Sequence, residues 1–201
     1  MDKVRFGVIG VGNMGSEHAK YLNNGEIEGA VLAAVCDVKE ERRNWAKENL
    51  APEVKIFDDY KKMLDPNLVD AIIVAVPHYF HPPICIDVLN AGINVISEKP
   101  IGVYTNQAEE LIKVAEKSGK LLTIGYQTRQ TAQAQYLKAE SEMGTFGDIY
   151  FARACAVRRR AVPTWGVFLN EYEQGGGPLI DIGTHALDVT LWIMNNYKPK
   201  Y

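Results

Sequence analysis

At 201 residues, with 47% hydrophobic and 23% charged side chains, the chain has an ordinary globular composition, enough for one good core and part of a second. Its 22 basic and 25 acidic residues give a net charge of −3, which excludes the broad positive field that nucleic acid or an anionic membrane surface would select. No apolar run approaches the ~20 residues that cross a bilayer, and the opening MDKVRFGVIG leads into a strand and a glycine turn rather than a signal peptide, so a cytoplasmic protein is expected.

The first apolar run, residues 4–9, is continuous rather than alternating, as a strand buried on both faces should be. It ends in GVGNMG, and a helix is predicted over 14–22. In that turn Gly10 permits the tight reversal, Gly12 allows close backbone approach to a pyrophosphate, and Gly15 lets the helix pack on the strand. Asn13 and Met14 complete the loop, whose helix-start N–H groups favour an anion. A second strand, 31–36, ends at Asp37, 22 residues beyond Gly15. A carboxylate there can accept from both adenosine ribose hydroxyls and repels a 2′-phosphate, which favours NAD over NADP. The bland alternative is that Asp37 only caps the helix that follows. Arg42 and Arg43 lean weakly toward NADP, but are expected on that helix's solvated face as partners of nearby glutamates.

Helices are then predicted over 39–49 and 58–64, with a short strand at 54–57 between them. A strand over 69–76 runs into VPHYFH, and a helix over 82–90 leads to a strand over 93–97. That strand runs out into EKPIGV, so Glu98 and Lys99 stand at the carboxyl edge of a parallel sheet, where ligands of such sheets bind. Pro100 restricts Lys99 to extended geometry or allows a cis bond. A helix over 105–118 and a strand over 121–125 complete a doubly wound parallel sheet with helices on both faces. Cys36, Cys85 and Cys155 sit far apart among apolar neighbours, without metal spacing, and are expected as reduced core residues.

Beyond residue 125 the texture changes. TRQTAQAQYLKAESEMG predicts a helix, GDIYFARACAVRRR a partly alternating strand, and a last helix is predicted over 178–195. One strand and two helices cannot close a sheet, so a dinucleotide-binding domain over 1–125 is expected to precede an incomplete domain over 126–201. In GGGPLIDIGTHALDVTLW, Asp181, His185 and Asp188 share one face of an otherwise apolar helix. A histidine with a carboxylate one turn away is oriented and made more basic, as a proton acceptor for an alcohol requires. No further Cys or His cluster completes a metal shell, so no metal is expected.

Together, and in this order, the glycine fingerprint, EKP and GGGPLIDIGTHALD resemble the Gfo/Idh/MocA family of oxidoreductases over essentially the whole chain. The resemblance implies a Rossmann domain followed by an α/β domain with an open, mostly antiparallel sheet that often forms the oligomer interface. It implies NAD(P)-dependent dehydrogenation of a small sugar or polyol, inositol-like, in a homo-oligomer. By position, Lys99 matches the catalytic EKP lysine and Asp181 and His185 match the D-x-x-x-H pair, with the histidine as acid/base. Val76, Pro77 and His78 resemble a Pro-Asn-x-x-His turn that passes the cofactor, with His78 in place of the asparagine. His81 reads equally as helix-start packing or as a contact, and His18 as structural. GYQTRQ resembles the segment that crosses between domains, placing Gln127 at the cofactor and Tyr126 and Arg129 at the substrate. Arg158 and Trp165 either hold a polar sugar or lie in solvent. Family members continue through several more strands, so a shortened chain of reduced activity is expected. Two other functions share the scaffold: a glycosidase that uses NAD transiently, and a non-catalytic dinucleotide-binding regulator.

Overall fold

The computed structural model describes residues 3–157, 159–160, 162–164 and 166–198. Arg158 and Trp165, expected near the substrate, lie outside the described residues. The chain divides into two compact units, Met1–Ile124 and Gly125–Tyr201.

The first unit alternates strand and helix: β1 (Val4–Ile9), α1 (Asn13–Asn23), β2 (Ala30–Cys36), α2 (Glu40–Asn49), β3 (Lys55–Phe57), β4 (Ala71–Val74), α3 (His81–Asn90), β5 (Asn94–Ser97), α4 (Thr105–Ser118) and β6 (Leu122–Ile124). All six strands are parallel, in the order β3-β2-β1-β4-β5-β6. The winding reverses between β1 and β4, which opens a crevice at their carboxyl ends. Successive residues of β4 show why the apolar runs do not alternate. Ile72 and Val74 join one core with Met63, Cys85, Val88, Leu89 and Leu111, while Ile73 joins the other with Val8, Val35, Ala19 and Leu22. Side chains alternate faces along a strand, and here both faces are covered by helices. Residues 58–64, expected as a helix, form only the 3-10 turn Tyr60–Met63, closed by the Asp59 side chain accepting from the Lys61 N–H.

The second unit holds the 3-10 turn Gln127–Gln130, α5 (Ala132–Glu142), α6 (Glu171–Gln174), a π-helical turn (Leu179–Gly183) and α7 (Thr184–Met194). Helix α5 packs on α7, and the nearly buried Lys138 donates from Nζ to the Trp192 carbonyl at 3.0 Å. The strand expected in GDIYFARACAVRRR does not form among the described residues, where Tyr150, Phe151 and Val157 are exposed. Alternation marks a segment as able to join a sheet, but a strand exists only when a second strand pairs with it. The second unit has no other strand among its described residues. Cys36 and Cys85 are buried, with thiols pushed up by burial to about 12. Cys155, also expected in a core, is exposed, because the segment carrying it packs into none.

Candidate functional site

In the first unit the candidate residues gather at the carboxyl edge of the sheet. Gly10 follows β1 at φ +84°, a conformation that side chains disfavour, and a Cβ there would lie 2.4 Å from the carbonyl oxygen of Ala75, which follows β4. Gly12 differs: a Cβ on it would meet nothing within 4 Å, so the loop borders open space at this residue. Gly15 is the packing glycine, its missing Cβ aimed at the Gly10 carbonyl oxygen. Helix α1 starts with no side-chain cap and no acid in its first turn, leaving the positive end of its dipole and its first N–H groups uncompensated. Exposed Asn13 and Met14 flank that opening. These features fit the pyrophosphate of a dinucleotide.

Asp37 is drawn onto the same loop. Its Oδ2 accepts from the Val11 N–H at 2.9 Å and its Oδ1 from the Lys39 N–H at 2.9 Å. Both readings of Asp37 therefore have a counterpart: it braces the glycine loop, and it closes the turn into α2. Each oxygen keeps a second lone pair for a hydroxyl donor. Arg43 departs from expectation. Its Nη1 donates to the carbonyls of Asp37 and Val38 at 2.9 and 2.8 Å rather than pairing with a glutamate, because this turn presents bare carbonyls to α2.

Lys99 is half-buried two residues beyond β5, and the Lys99–Pro100 bond is cis. Glu98 is almost wholly buried beside it. Its Oε1 lies 2.8 Å from His18 Nε2, while no group among the described residues bonds its Oε2. Burial pushes the Glu98 carboxyl up, but the His18 hydrogen bond and charge, with the Lys99 N–H and ammonium, outweigh burial and hold it below the usual range. Val76, Pro77 and His78 follow β4. His81, at the start of α3, is buried with Nδ1 2.7 Å from the Pro100 carbonyl oxygen and Nε2 2.8 Å from that of Val76. It thus sits between the loops beyond β4 and β5, donating to one of the two carbonyls when neutral and to both only when protonated. His18, read as structural, is the partner of Glu98. Its only signal in the sequence was its position on the helix opened by the glycine loop.

In the second unit Asp181 lies in the π-helical turn and His185 in the first turn of α7. The turn is marked by the Gly183 N–H donating to the Pro178 carbonyl at 2.8 Å, five residues back. Such single π turns recur at functional sites. The helix expected over 178–195 is therefore two pieces. No residue of α7 is fully buried, and Leu187 is exposed. Tyr126 stands edge-on to the His185 ring, with centroids 6.1 Å apart and planes at 87°. Gln127 is exposed. Arg129, expected at the substrate, instead forks onto Asp188, Nε donating to Oδ2 at 2.7 Å and Nη2 to Oδ1. The nearest carboxylate claims the guanidinium, which also stacks over Trp192 with its centre 5.5 Å from the ring centroid. Among the described residues no group of three or more His, Cys, Asp or Glu is placed to hold a metal, and no helix is long and apolar enough to cross a membrane.

Comparison with known proteins accounts for this arrangement. Residues 4–126 match the sequence model of an oxidoreductase family with an NAD-binding Rossmann fold, and residues 134–199 match the GFO/IDH/MocA C-terminal domain. The chain is 36% identical over 193 residues to D-glucoside 3-dehydrogenase of Escherichia coli, covering 95% of this chain and 54% of that protein. It is 31% identical over 191 residues to myo-inositol 2-dehydrogenase of Thermotoga maritima, covering 95% and 55%. Among solved structures, WlbA dehydrogenase from Bordetella pertussis in complex with NADH and UDP-GlcNAcA aligns with a TM-score of 0.85 at 27% identity, covering 96% of this chain and 57% of that one. Scyllo-inositol dehydrogenase from Lactobacillus casei, with NAD(H) and scyllo-inositol bound, aligns with a TM-score of 0.78 at 26% identity, covering 96% and 57%. The chain spans about half the length of the curated relatives it matches. With both of its units matched in order, the chain belongs to the Gfo/Idh/MocA family of oxidoreductases.

Proposed function

We propose that the chain carries the cofactor-binding and acid–base parts of an NAD-dependent dehydrogenase that oxidises a hydroxyl-bearing carbon of a sugar or polyol. The observation that carries this reading is the contact of the Asp37 carboxylate with the glycine loop, which joins a ribose acceptor to an open, uncapped helix start. The open Gly12 and the α1 start bind the pyrophosphate, flanked by Asn13 and Met14. Asp37 accepts from the adenosine ribose and disfavours a 2′-phosphate, so NAD is preferred to NADP. Val76, Pro77, His78 and Glu98 are assigned to the nicotinamide half of the cofactor, and Gln127 of the second unit to the same cofactor. Bound NAD supplies a carbon that accepts hydride. His185 takes the alcohol proton, polarised by Asp181, and Lys99 hydrogen-bonds the same oxygen to balance the charge that develops there. Tyr126 packs beside the substrate. The whole protein is proposed to assemble as a homo-oligomer, which light scattering on the complete protein checks.

The test is an NAD titration followed by NADH absorbance against sugars, inositols and aryl glycosides. Turnover of one polyol, lost in Lys99→Ala and His185→Ala while both variants still bind NAD, is the expected result. Glycoside consumed without net NADH would replace this reading with transient redox. NAD binding unaccompanied by any turnover, in the complete protein as well, would replace it with a dinucleotide-binding regulator.

A further inference from the structure

Arg129 and Asp188 lie 59 residues apart in sequence, yet they meet in a forked pair whose carboxylate is largely buried. The fork belongs to a closed ring of contacts within the second unit. Asp188 accepts from the Arg129 guanidinium, and the Arg129 N–H donates to the Tyr126 carbonyl at 3.1 Å, closing the turn between them. The Tyr126 ring stands perpendicular to the ring of His185, and His185 returns to Asp188 along α7. The two segments are in register: Tyr126 faces His185, and three residues on Arg129 faces Asp188. Residues three apart on a helix share a face, so α7 presents both anchors to one turn. Trp192, one turn beyond, lies 5.5 Å from the guanidinium centre, and the same ring has the Lys138 Nζ 5.6 Å from its centroid.

We propose that Arg129 and Asp188 are positioning residues, which clamp the Tyr126 turn onto α7 so that the tyrosine ring fixes the orientation of the His185 imidazole. The proposal rests on the reading of His185 as the acid/base and gives Arg129 a role other than substrate ligand. A general base must hold its nitrogen within hydrogen-bond reach of the proton it takes, and an imidazole free to turn about its bond to the backbone loses that alignment. An edge-on aromatic ring blocks such rotation by sterics and favours one orientation through its quadrupole. A lysine at position 129 keeps the charge but cannot make the planar fork that sets the turn.

The chain has four histidines, so the His185 ring proton resonance can be assigned by its disappearance in His185→Gln. In Arg129→Lys that resonance is expected to move in the direction seen in Tyr126→Leu, while those of His18, His78 and His81 stay in place. In the complete protein, Arg129→Lys is expected to lower kcat roughly 10- to 100-fold, as misplacement of a catalytic group does, with the Kd for NAD and the KM for the polyol unchanged. A His185 resonance unmoved in folded Arg129→Lys overturns the clamp. A raised KM with kcat intact overturns it in favour of Arg129 as a substrate ligand. If charge substitutions unfold the second unit, Tyr126→Leu leaves the ion pair in place and decides the matter by the same resonance. The spectroscopic result needs no substrate, so absence of turnover would overturn the dehydrogenase reading without touching the clamp.

Discussion

Gly15→Ala asks for space that the first unit does not have. A Cβ at position 15 would lie 1.7 Å from the Gly10 carbonyl oxygen and 2.9 Å from its carbon, with the Ala75 Cβ at 3.3 Å. Carbon and carbonyl oxygen rest at about 3.3 Å or more, so the start of α1 and the end of β1 would have to separate by roughly 1.5 Å. The obstacle is backbone, which no rotamer change removes. Gly10 cannot yield easily either, since it stands at φ +84° against Ala75, which follows β4. Overpacking of this kind costs about 3 kcal/mol, and the gain of an alanine inside a helix offsets at most about 1 kcal/mol of it. A net loss of about 2 kcal/mol is a large share of a domain's stability. Gly12→Ala is the internal control. Its Cβ meets nothing within 4 Å and its φ of −69° suits alanine, so stability should stay within about 1 kcal/mol. The methyl would instead occupy the space proposed for the pyrophosphate. Urea unfolding followed by circular dichroism, with NAD titration on the same samples, separates the two. Gly15→Ala should unfold at lower urea, whereas Gly12→Ala should keep its midpoint and lose NAD affinity at least tenfold. Equal midpoints for Gly15→Ala and the parent would refute the reasoning.

Leu111 is the one fully buried residue of α4, so Leu111→Ala should cost about 3 kcal/mol in urea unfolding while Leu121→Ala, at an exposed site, stays within about 0.5 kcal/mol. Equal effects would mean that α4 does not depend on that contact. His81 gives a pH signature: burial pushes its pKa below 6.5, outweighing the Pro100 and Val76 carbonyls and Glu98, which favour the charged ring, while His78 adds to the depression. The unfolded chain therefore binds the proton more readily. The His81 contribution to stability is complete above pH 6.5, falls as pH drops through that value toward the lower folded pKa, and then levels off. The slope cannot exceed one proton, about 1.4 kcal/mol per pH unit, and His81→Gln should remove it. Parent and variant with the same pH dependence between 5 and 7 would show that His81 is not buried in its neutral form.

The sequence by itself determined the first unit and the chemistry it offers. Strands buried on both faces leave continuous apolar runs, and the glycine loop is legible because each glycine answers a local need: a positive φ at Gly10, open space at Gly12 and a helix crossing at Gly15. Element ends were less legible, as at Tyr60–Met63, because a single turn is decided by its cap and not by periodicity. The tertiary structure alone decided which groups meet. Asp37 reaches the Val11 N–H across 26 residues, His18 reaches Glu98 across 80, and Arg129 reaches Asp188 across 59. A side chain's type states what it can bond, but the partner is chosen by the path of the backbone. For the same reason the alternation in residues 148–157 did not make a strand, since a ladder needs a second strand to receive its hydrogen bonds.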